Sequence, residues 1–465
     1  MRRVYDTFGW RNRVMNADSI GDGRTIVALS TPPGRGALAI VRMSGQEATV
    51  IARALLHPVP SIVRRATHCS VHAADGSIID DAVATLYLAP HSFTGEDMLE
   101  ISTHGGLITP TLVVAAALAA GGRVAEPGEF TRRAVLNEKL DLLQAEAVGD
   151  LIEARSSAAH AMALRQLDGG LSRRIGELRA KILTLEAHLA YDIDFPEEDD
   201  GPIPRERIAL NAALIQVALD DLLVTSDLGT LIHEGALVVL AGPPNAGKSS
   251  LFNALLGEAR AIVTELPGTT RDAIEAVLDT SLWPLRLVDT AGLRETSDAL
   301  ERMGIEVSSR YLARAAVVLA CVDAGESSIL HDQLEALTRA QIITIRTKSD
   351  LVTNGEYSDA DIAVSASTGV GIGSLLELIN ERLADQHGNP AVDAPVLTRA
   401  RHRAAVERAT TEMRQFLDVW TNALLPASVA ATHIRAAAHA LSTLIGIVET
   451  DDILDVVFRT FCVGK

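Results

Sequence analysis

Ala236-Leu-Val-Val-Leu-Ala241-Gly242-Pro243-Pro244-Asn245-Ala246-Gly247-Lys248-Ser249-Ser250 is the stretch that decides the fold. The apolar run Ala236 to Ala241 reads as a buried strand. It breaks at Gly242 into a loop that ends at Gly247, and Lys248-Ser249-Ser250 then opens a helix. A strand, a glycine-bounded loop and a helix start in that order form a cradle for phosphate. Backbone N–H groups turn inward, and glycine lets the chain approach the oxygens. Lys248 supplies a cation for the β- and γ-phosphates, and Ser249 a hydroxyl for Mg²⁺.

Working downstream, strands fit Leu285 to Val288, Ala316 to Val322, Ile342 to Arg346 and Asp361 to Val364, with a closing helix near Gly373 to Ala384. The alternation predicts a parallel sheet with helical crossovers. Each strand end carries chemistry. Asp289-Thr290-Ala291-Gly292 matches a second magnesium motif, with Asp289 acting through the ion's water and Gly292 sensing the γ-phosphate. Thr347-Lys348-Ser349-Asp350 offers a carboxylate, Asp350, that accepts from N1 and N2 of guanine and is left unpaired by adenine. The usual first residue of that motif is Asn, and Thr347 keeps a hydroxyl while losing the amide. Ser365-Ala366-Ser367 completes the base pocket. The loop Thr264-Glu265-Leu266-Pro267-Gly268-Thr269-Thr270, between the first helix and the next strand, places Thr270 to coordinate Mg²⁺. Taken together these predict GTP and Mg²⁺ as ligands.

On either side of the α/β segment the pattern changes. Leu140 to Ala190 and Arg205 to Leu223 show apolar spacing of three and four residues, and the chain is helical again after Pro395. Before them, Thr25 to Leu29, Ala37 to Met43, His68 to His72 and Ala82 to Leu88 read as strands and Gly105 to Ala120 as a helix. The expected division is an α+β domain over 20–138, a helical domain in two parts, 139–233 and 395–465, and a nucleotide-binding domain over 234–386 inserted between those parts. A chain of 465 residues suits about three domains. The net charge of −18 argues against a generally basic surface for nucleic acid, so RNA must meet a local patch or a partner. Cys69, Cys321 and Cys462 are too few and too scattered for a disulfide framework, which predicts a reducing compartment. The most apolar run, Leu107 to Ala120, is shorter than a bilayer span and contains Pro110. Residues 1–19 carry Arg2, Arg3, Arg11 and Arg13 without an apolar core. An upstream start before a natural Met15 and a transit peptide are the two readings, the second weakened by Asp6 and Asp18. At the other end, Cys462-Val463-Gly464-Lys465 follows an apolar stretch, Ile453 to Phe461, expected to pack as a helix and hold the thiol.

Leu293 stands directly after Asp289-Thr-Ala-Gly292, where Ras-like enzymes carry a water-orienting glutamine. With Gly268-Thr-Thr-Arg-Asp272, Asn245, the terminal Phe461-Cys-Val-Gly-Lys465 and the stretches Thr31 to Gly36, Ser92 to Asp97, Pro127 to Phe130 and Leu136 to Lys139, the chain resembles the MnmE (TrmE) family of tRNA-modification GTPases from about Thr25 onward. The resemblance implies a multidomain α/β protein. Its Ras-like P-loop GTPase domain is inserted into a helical domain, and an α+β folate-binding domain comes first. It also implies a cytoplasmic homodimer paired through the N-terminal domains, whose GTPase domains approach each other when GTP and K⁺ are bound. Asn245 then supplies a side-chain oxygen to K⁺, with backbone carbonyls from Thr264, Leu266 and Thr269, and Glu301 orients the attacking water, with Glu295 as a local competitor. A 5-formyl- or methylene-tetrahydrofolate is implied at Arg42, Glu100 and Lys139, with Lys465 reaching in beside Cys462. The thiol is open to a nucleophilic, redox or structural role. A partner, MnmG, brings FAD; the chain itself carries no GxGxxG fingerprint in a dinucleotide-binding setting. The implied product is an aminomethyl or carboxymethylaminomethyl group on C5 of the wobble uridine of tRNA. A regulatory GTP switch for ribosome or membrane-complex assembly is the alternative, and it requires neither the folate set nor Cys462.

Overall fold

The computed structural model describes residues 23–194, 203–258, 260–262, 274–280, 282–289, 310–322, 327–351, 360–388, 395–422, 426–446, 457–458, 461 and 463–464. The chain forms two compact units. One comprises the described parts of Met1–Glu146 and Val448–Lys465, the other those of Ala147–Ile447.

The first unit is a seven-stranded sheet with two of its helices packed on one face and a third on the other. Its elements are β1 (Ile26–Leu29), β2 (Leu38–Ser44), α1 (Ala48–Leu55), β3 (Leu56–His57), β4 (Thr67–His72), β5 (Ile78–Tyr87), β6 (Met98–His104), α2 (Thr109–Ala119), β7 (Arg123–Val124) and α3 (Glu129–Leu136). The strand order is β3-β4-β5-β6-β2-β1-β7, antiparallel except for the β1–β7 pair. The two-residue period of the strands divides the faces. Val27, Val41, Met43, Leu99 and Ile101 bury against Ile51 and Leu55 of α1 and Val113 and Ala117 of α2. Ile26 and Ala28 turn the other way and pack with Ala125, Phe93 and Phe130. Arg42 lies opposite Ala28 on β1 and opposite Glu100 on β6, so it shares that second face.

The end of the chain joins this unit. Val457 and Phe458 pack with Leu142, Ala145, Val135 and Phe461. Val463 bridges Pro127, and the Gly464 carbonyl accepts from Ser30 Oγ at 3.0 Å. Gly464 has φ +98°, and a Cβ there would stand 2.5 Å from the Leu29 carbonyl oxygen, so the close approach requires glycine. The apolar residues of the tail thus bury against Leu142 and Ala145, at the start of the first helical segment after the α+β domain.

The second unit begins inside α4 (Leu142–Glu153) and holds α5 (Ser157–Leu167), α6 (Gly170–Asp194) and α7 (Arg205–Glu234). Its α/β part follows with β8 (Ala236–Ala241), α8 (Lys248–Glu258), β9 (Arg260–Ile262), β10 (Ile274–Asp279), β11 (Pro284–Asp289), β12 (Val317–Val322), α9 (Ser327–Glu335), β13 (Gln341–Arg346), β14 (Ile362–Ala363) and α10 (Ile372–His387). It ends with α11 (Ala400–Thr421) and α12 (Ala427–Ile445). Helices from both sides of the α/β segment pack together, α12 on α6 and α11 on α7, which makes the α/β part an insertion in a helical bundle. By length and composition α7 could cross a bilayer; within this unit it buries Ile208, Ala212, Ile215, Leu219 and Leu222. The inserted sheet has the order β14-β13-β12-β8-β11-β10-β9. Its strands from β14 to β11 are parallel, and β10 and β9 add an antiparallel edge that the sequence pattern did not announce. β8 and β12 are buried along their whole length, as continuous apolar strands between two helical layers are.

Candidate functional site

The C-terminal ends of β8, β11, β13 and β14 carry the sequence motifs, the place where open α/β sheets bind ligands. The loop after β8 is shaped by two glycines. Gly242 has φ +145°, and a Cβ on it would lie 2.3 Å from the Cys321 carbonyl oxygen. Gly247 has φ +81°. Asn245, at φ +63°, stands exposed on the outer turn, and Ala246 is buried. Lys248 opens α8 and folds back over the loop, donating to the carbonyls of Gly242 and Pro243 at 2.9 and 2.8 Å. Ser249 Oγ donates to Asp289 Oδ2 at 2.7 Å, which joins the first helix to the end of β11. Asp289 is buried, while Ser249 and Ser250 are exposed. A hydroxyl and a carboxylate side by side at a phosphate loop are hard oxygen donors suited to Mg²⁺.

The base-pocket motifs meet beside the same loop. Thr347 Oγ1 donates to the Ala246 carbonyl at 2.7 Å, and Lys348 Nζ to the Asn245 carbonyl at 2.8 Å. Ser365 Oγ donates to Asp350 Oδ1 at 2.6 Å and lies 3.0 Å from Ser367 Oγ. The Ser365 hydroxyl, then the backbone N–H of Asp350 and the Ser367 hydroxyl, hold the Asp350 carboxyl below the usual carboxylate range. Ala366 lies between the two serines, half-buried. Asn245, Ala246, Gly247, Lys248, Ser249, Ser250, Asp289, Thr347, Lys348, Asp350, Ser365, Ala366 and Ser367 thus gather in one place. Thr264 to Thr270, Thr290 to Gly292, Glu295, Glu301, Cys462 and Lys465 lie outside the described residues. Burial pushes the Cys321 thiol up to about 12 and raises that of Cys69, so neither is a reactive thiolate.

A second cluster occupies the other face of the first unit's sheet, where Phe130 of α3 packs. Arg42 Nε and Nη2 both donate to Glu100 Oε1, at 2.9 and 2.7 Å. The rings of Phe93 and Phe130 stand 5.6 and 5.8 Å from the guanidinium carbon. Tyr87 OH donates to Glu100 Oε2 at 3.4 Å, and burial, then the Glu100 charge, raises its pKa. Lys139 Nζ donates to the Pro90 carbonyl at 3.0 Å, and its stem passes Gly95, two residues from Phe93. An acceptor carboxylate flanked by aromatic faces and cations can take a flat heterocycle that presents an N–H edge. Sequence reasoning named Arg42, Glu100 and Lys139 but not Tyr87, Phe93 or Phe130. The two phenylalanines sit in the stretches Ser92 to Asp97 and Pro127 to Phe130, where an aromatic residue in each was the available signal.

A phosphate loop, a buried aspartate bonded to its serine, and a carboxylate poised for guanine define a P-loop protein of the guanine-nucleotide class. Two family models match: "MnmE helical domain" over residues 142–462 and "GTP-binding protein TrmE N-terminus" over residues 25–139. Curated relatives include the tRNA modification GTPase MnmE of Heliobacterium modesticaldum, 42% identical over 95% of this chain and 100% of that protein. Its counterpart in Moorella thermoacetica is 40% identical over 95% and 99%. Among solved structures, the G domain of the T. maritima FeoB iron transporter is 27% identical over 32% of this chain and 98% of that chain, with a TM-score of 0.26. The chain belongs to the MnmE family of tRNA modification GTPases.

Proposed function

We propose that this chain is a potassium-stimulated GTPase of the cytoplasm. Working as a homodimer with an FAD-bearing MnmG-type partner, it helps to install an aminomethyl or carboxymethylaminomethyl group on C5 of wobble uridine in tRNA. The observation that carries the reading is the convergence of Lys248, the Ser249–Asp289 pair and the Ser365-held Asp350 at one edge of the sheet, in a chain of this family. Lys248 exchanges two loop carbonyls for phosphate oxygens when nucleotide binds. Ser249 and Thr270 hold Mg²⁺, which supplies positive charge to the phosphates, and Asp289 acts through its water. Asp350 takes the guanine edge. The backbone carbonyl of Asn245 is engaged by Lys348, and its side-chain oxygen serves K⁺ together with Thr264, Leu266 and Thr269. Glu301 positions the attacking water.

The Arg42–Glu100 cluster, with Lys139 and Lys465, takes a tetrahydrofolate one-carbon carrier. Tyr87, Phe93 and Phe130 supply stacking faces for its ring, and Cys462 is the candidate thiol beside it. Hydrolysis of GTP in K⁺ against Na⁺, for wild type and Asn245→Ala, tests the first half. The expected result is a potassium dependence lost in the variant, and equal wild-type rates in the two salts would overturn it. Mass analysis of wobble nucleosides from a deletion strain tests the second half. Restoration by wild type and not by Cys462→Ser is expected. Nucleosides unchanged by the deletion would point to a regulatory GTP switch without one-carbon chemistry.

A further inference from the structure

Thr347 occupies the first position of the base-recognition loop, and both of its hydrogen-bond donors are committed inside the protein. Its hydroxyl donates to the Ala246 carbonyl at 2.7 Å. Its backbone N–H donates to the Val322 carbonyl at 3.3 Å. The residue is 5% exposed. Its side chain also faces the phosphate loop directly, since a Cβ built on Gly247 would stand 3.3 Å from Thr347 Oγ1 and 3.4 Å from Thr347 Cβ. A threonine hydroxyl has one hydrogen. N7 of a purine is an acceptor, so a hydroxyl that has given its proton to a carbonyl has nothing to offer it. An asparagine at this position carries two amide N–H groups and could serve the carbonyl and the ring together.

We infer that Thr347 is a positioning residue: it ties the base-recognition loop to the phosphate loop and leaves guanine N7 unread, so that the loop identifies its nucleotide at the edge read by Asp350. The inference rests on the guanine-nucleotide reading proposed above. It separates two roles that one amide side chain can combine. Strength of nucleotide binding depends on the Thr347 tether, because phosphate loop and base loop must hold a common spacing. Choice of base depends on Asp350.

The test is equilibrium binding of GTP, inosine triphosphate, ATP and 7-deaza-GTP to the full chain with Mg²⁺, for wild type, Thr347→Asn and Thr347→Val. Wild type is expected to bind GTP and 7-deaza-GTP alike while preferring GTP to inosine triphosphate. Thr347→Asn is expected to bind GTP about threefold to tenfold more tightly and to reject 7-deaza-GTP by a similar factor, the worth of one hydrogen bond. Thr347→Val, which keeps the shape and loses the hydroxyl, is expected to weaken GTP and inosine triphosphate by a common factor of about three to thirty, because it also leaves the Ala246 carbonyl without that donor. A wild-type preference of tenfold or more for GTP over 7-deaza-GTP would overturn the N7 assignment. Unchanged GTP binding in Thr347→Val would overturn the tether. Wild type that binds ATP as tightly as GTP would instead overturn the nucleotide reading, and this inference with it.

Discussion

Replacing Glu129 by alanine should unlock the face of the first unit that carries Arg42. Glu129 sits at the N-terminus of α3 and is 1% exposed. Its carboxylate accepts from Arg123 Nη1 and Nη2 at 2.8 and 2.5 Å, from Arg133 Nε and Nη2 at 3.3 and 3.1 Å, and from the Glu126 backbone N–H at 2.9 Å. The positive end of the helix favours the same charge. Arg133 is 6% exposed and reaches onward to both oxygens of Glu96, which in turn accepts from Ser44 Oγ. The alanine variant therefore removes the carboxylate that two guanidinium groups share at a site largely closed to water. Breaking a buried ion pair on one side costs about 3–5 kcal/mol. Because Arg133 keeps Glu96 and the Arg24 carbonyl, the low end, about 3 kcal/mol, is expected. Against a domain stability of roughly 5–15 kcal/mol that is a large share.

Hydrogen exchange followed by mass spectrometry on peptides from residues 23–146 reads this cost within one unit of a chain that does not unfold in a single step. A loss of about 3 kcal/mol corresponds to exchange about a hundredfold faster in α3 and β7, at 1.4 kcal/mol per tenfold. Glu129→Gln keeps volume and acceptor and should lose about half as much, since charge-assisted bonds are roughly twice as strong as neutral ones. Glu96 and Phe130 are both held through this network, and Phe93 lies three residues before Glu96. Binding of the tetrahydrofolate proposed for this face should fall with the stability while GTP affinity in the second unit stays unchanged. Exchange within threefold of wild type in Glu129→Ala would refute the reasoning.

Three further outcomes follow from the second unit. Asp350→Asn should lose GTP and gain xanthosine triphosphate, because an amide matches the xanthine edge; competition between the two nucleotides checks it. Ser365→Ala should remove the leading hydrogen bond that holds the Asp350 pKa down. The charged form that accepts from guanine would then be lost at a higher pH as the solution is acidified, and GTP affinity followed downward from neutral pH should fail earlier than in wild type, superimposable profiles counting against it. Asp279→Ala should loosen α5 by about 1 kcal/mol, the worth of a helix cap, since Asp279 accepts from the Ser157 backbone N–H at 3.1 and 3.2 Å and from its hydroxyl at 2.9 Å; exchange in residues 157–167 reads it.

What could be read in advance depended on whether the cause was local. β8 and β12 are unbroken apolar runs because both faces of a central parallel strand are covered, and each was legible to within a residue. β10, Ile274-Glu-Ala-Val-Leu-Asp279, is an antiparallel strand between β11 and the edge strand β9, its place fixed by register against Pro284–Asp289, and nothing nearby in sequence marks it. The pattern ended α7 at Leu223, yet the helix continues to Glu234 through Gly229. That glycine is a point of close passage, since a Cβ on it would stand 2.2 Å from the Leu397 carbonyl oxygen. The phosphate and base motifs were legible because a loop and its strand suffice to define them. Arg42 and Glu100 are 58 residues apart and meet through the β2–β6 register, so their pairing was reachable from sequence only through family likeness.

The hairpin of β10 and β11 draws these two kinds of cause together. Asp289, at its inner end, was found as a motif and is bonded to Ser249 of the phosphate loop. Asp279, at its outer end, belongs to no motif, and its partner Ser157 is 122 residues away in the chain. Register sets the two ends apart by the length of one strand, Ile274 opposite Asp289 and Asp279 opposite Pro284, about 17 Å at 3.4 Å per residue. One short ribbon thus has a carboxylate at the nucleotide site and another on the first turn of α5 in the helical part. A displacement of Asp289 on ligand binding has a direct covalent and hydrogen-bonded route to Ser157, and Asp279→Ala removes only its last link, the hydrogen bonds from Ser157. Measuring exchange in residues 157–167 with and without bound nucleotide therefore separates a static cap from a transmitted one. A nucleotide-dependent change present in wild type and absent in Asp279→Ala is the outcome that the ribbon geometry requires of a transmitted cap.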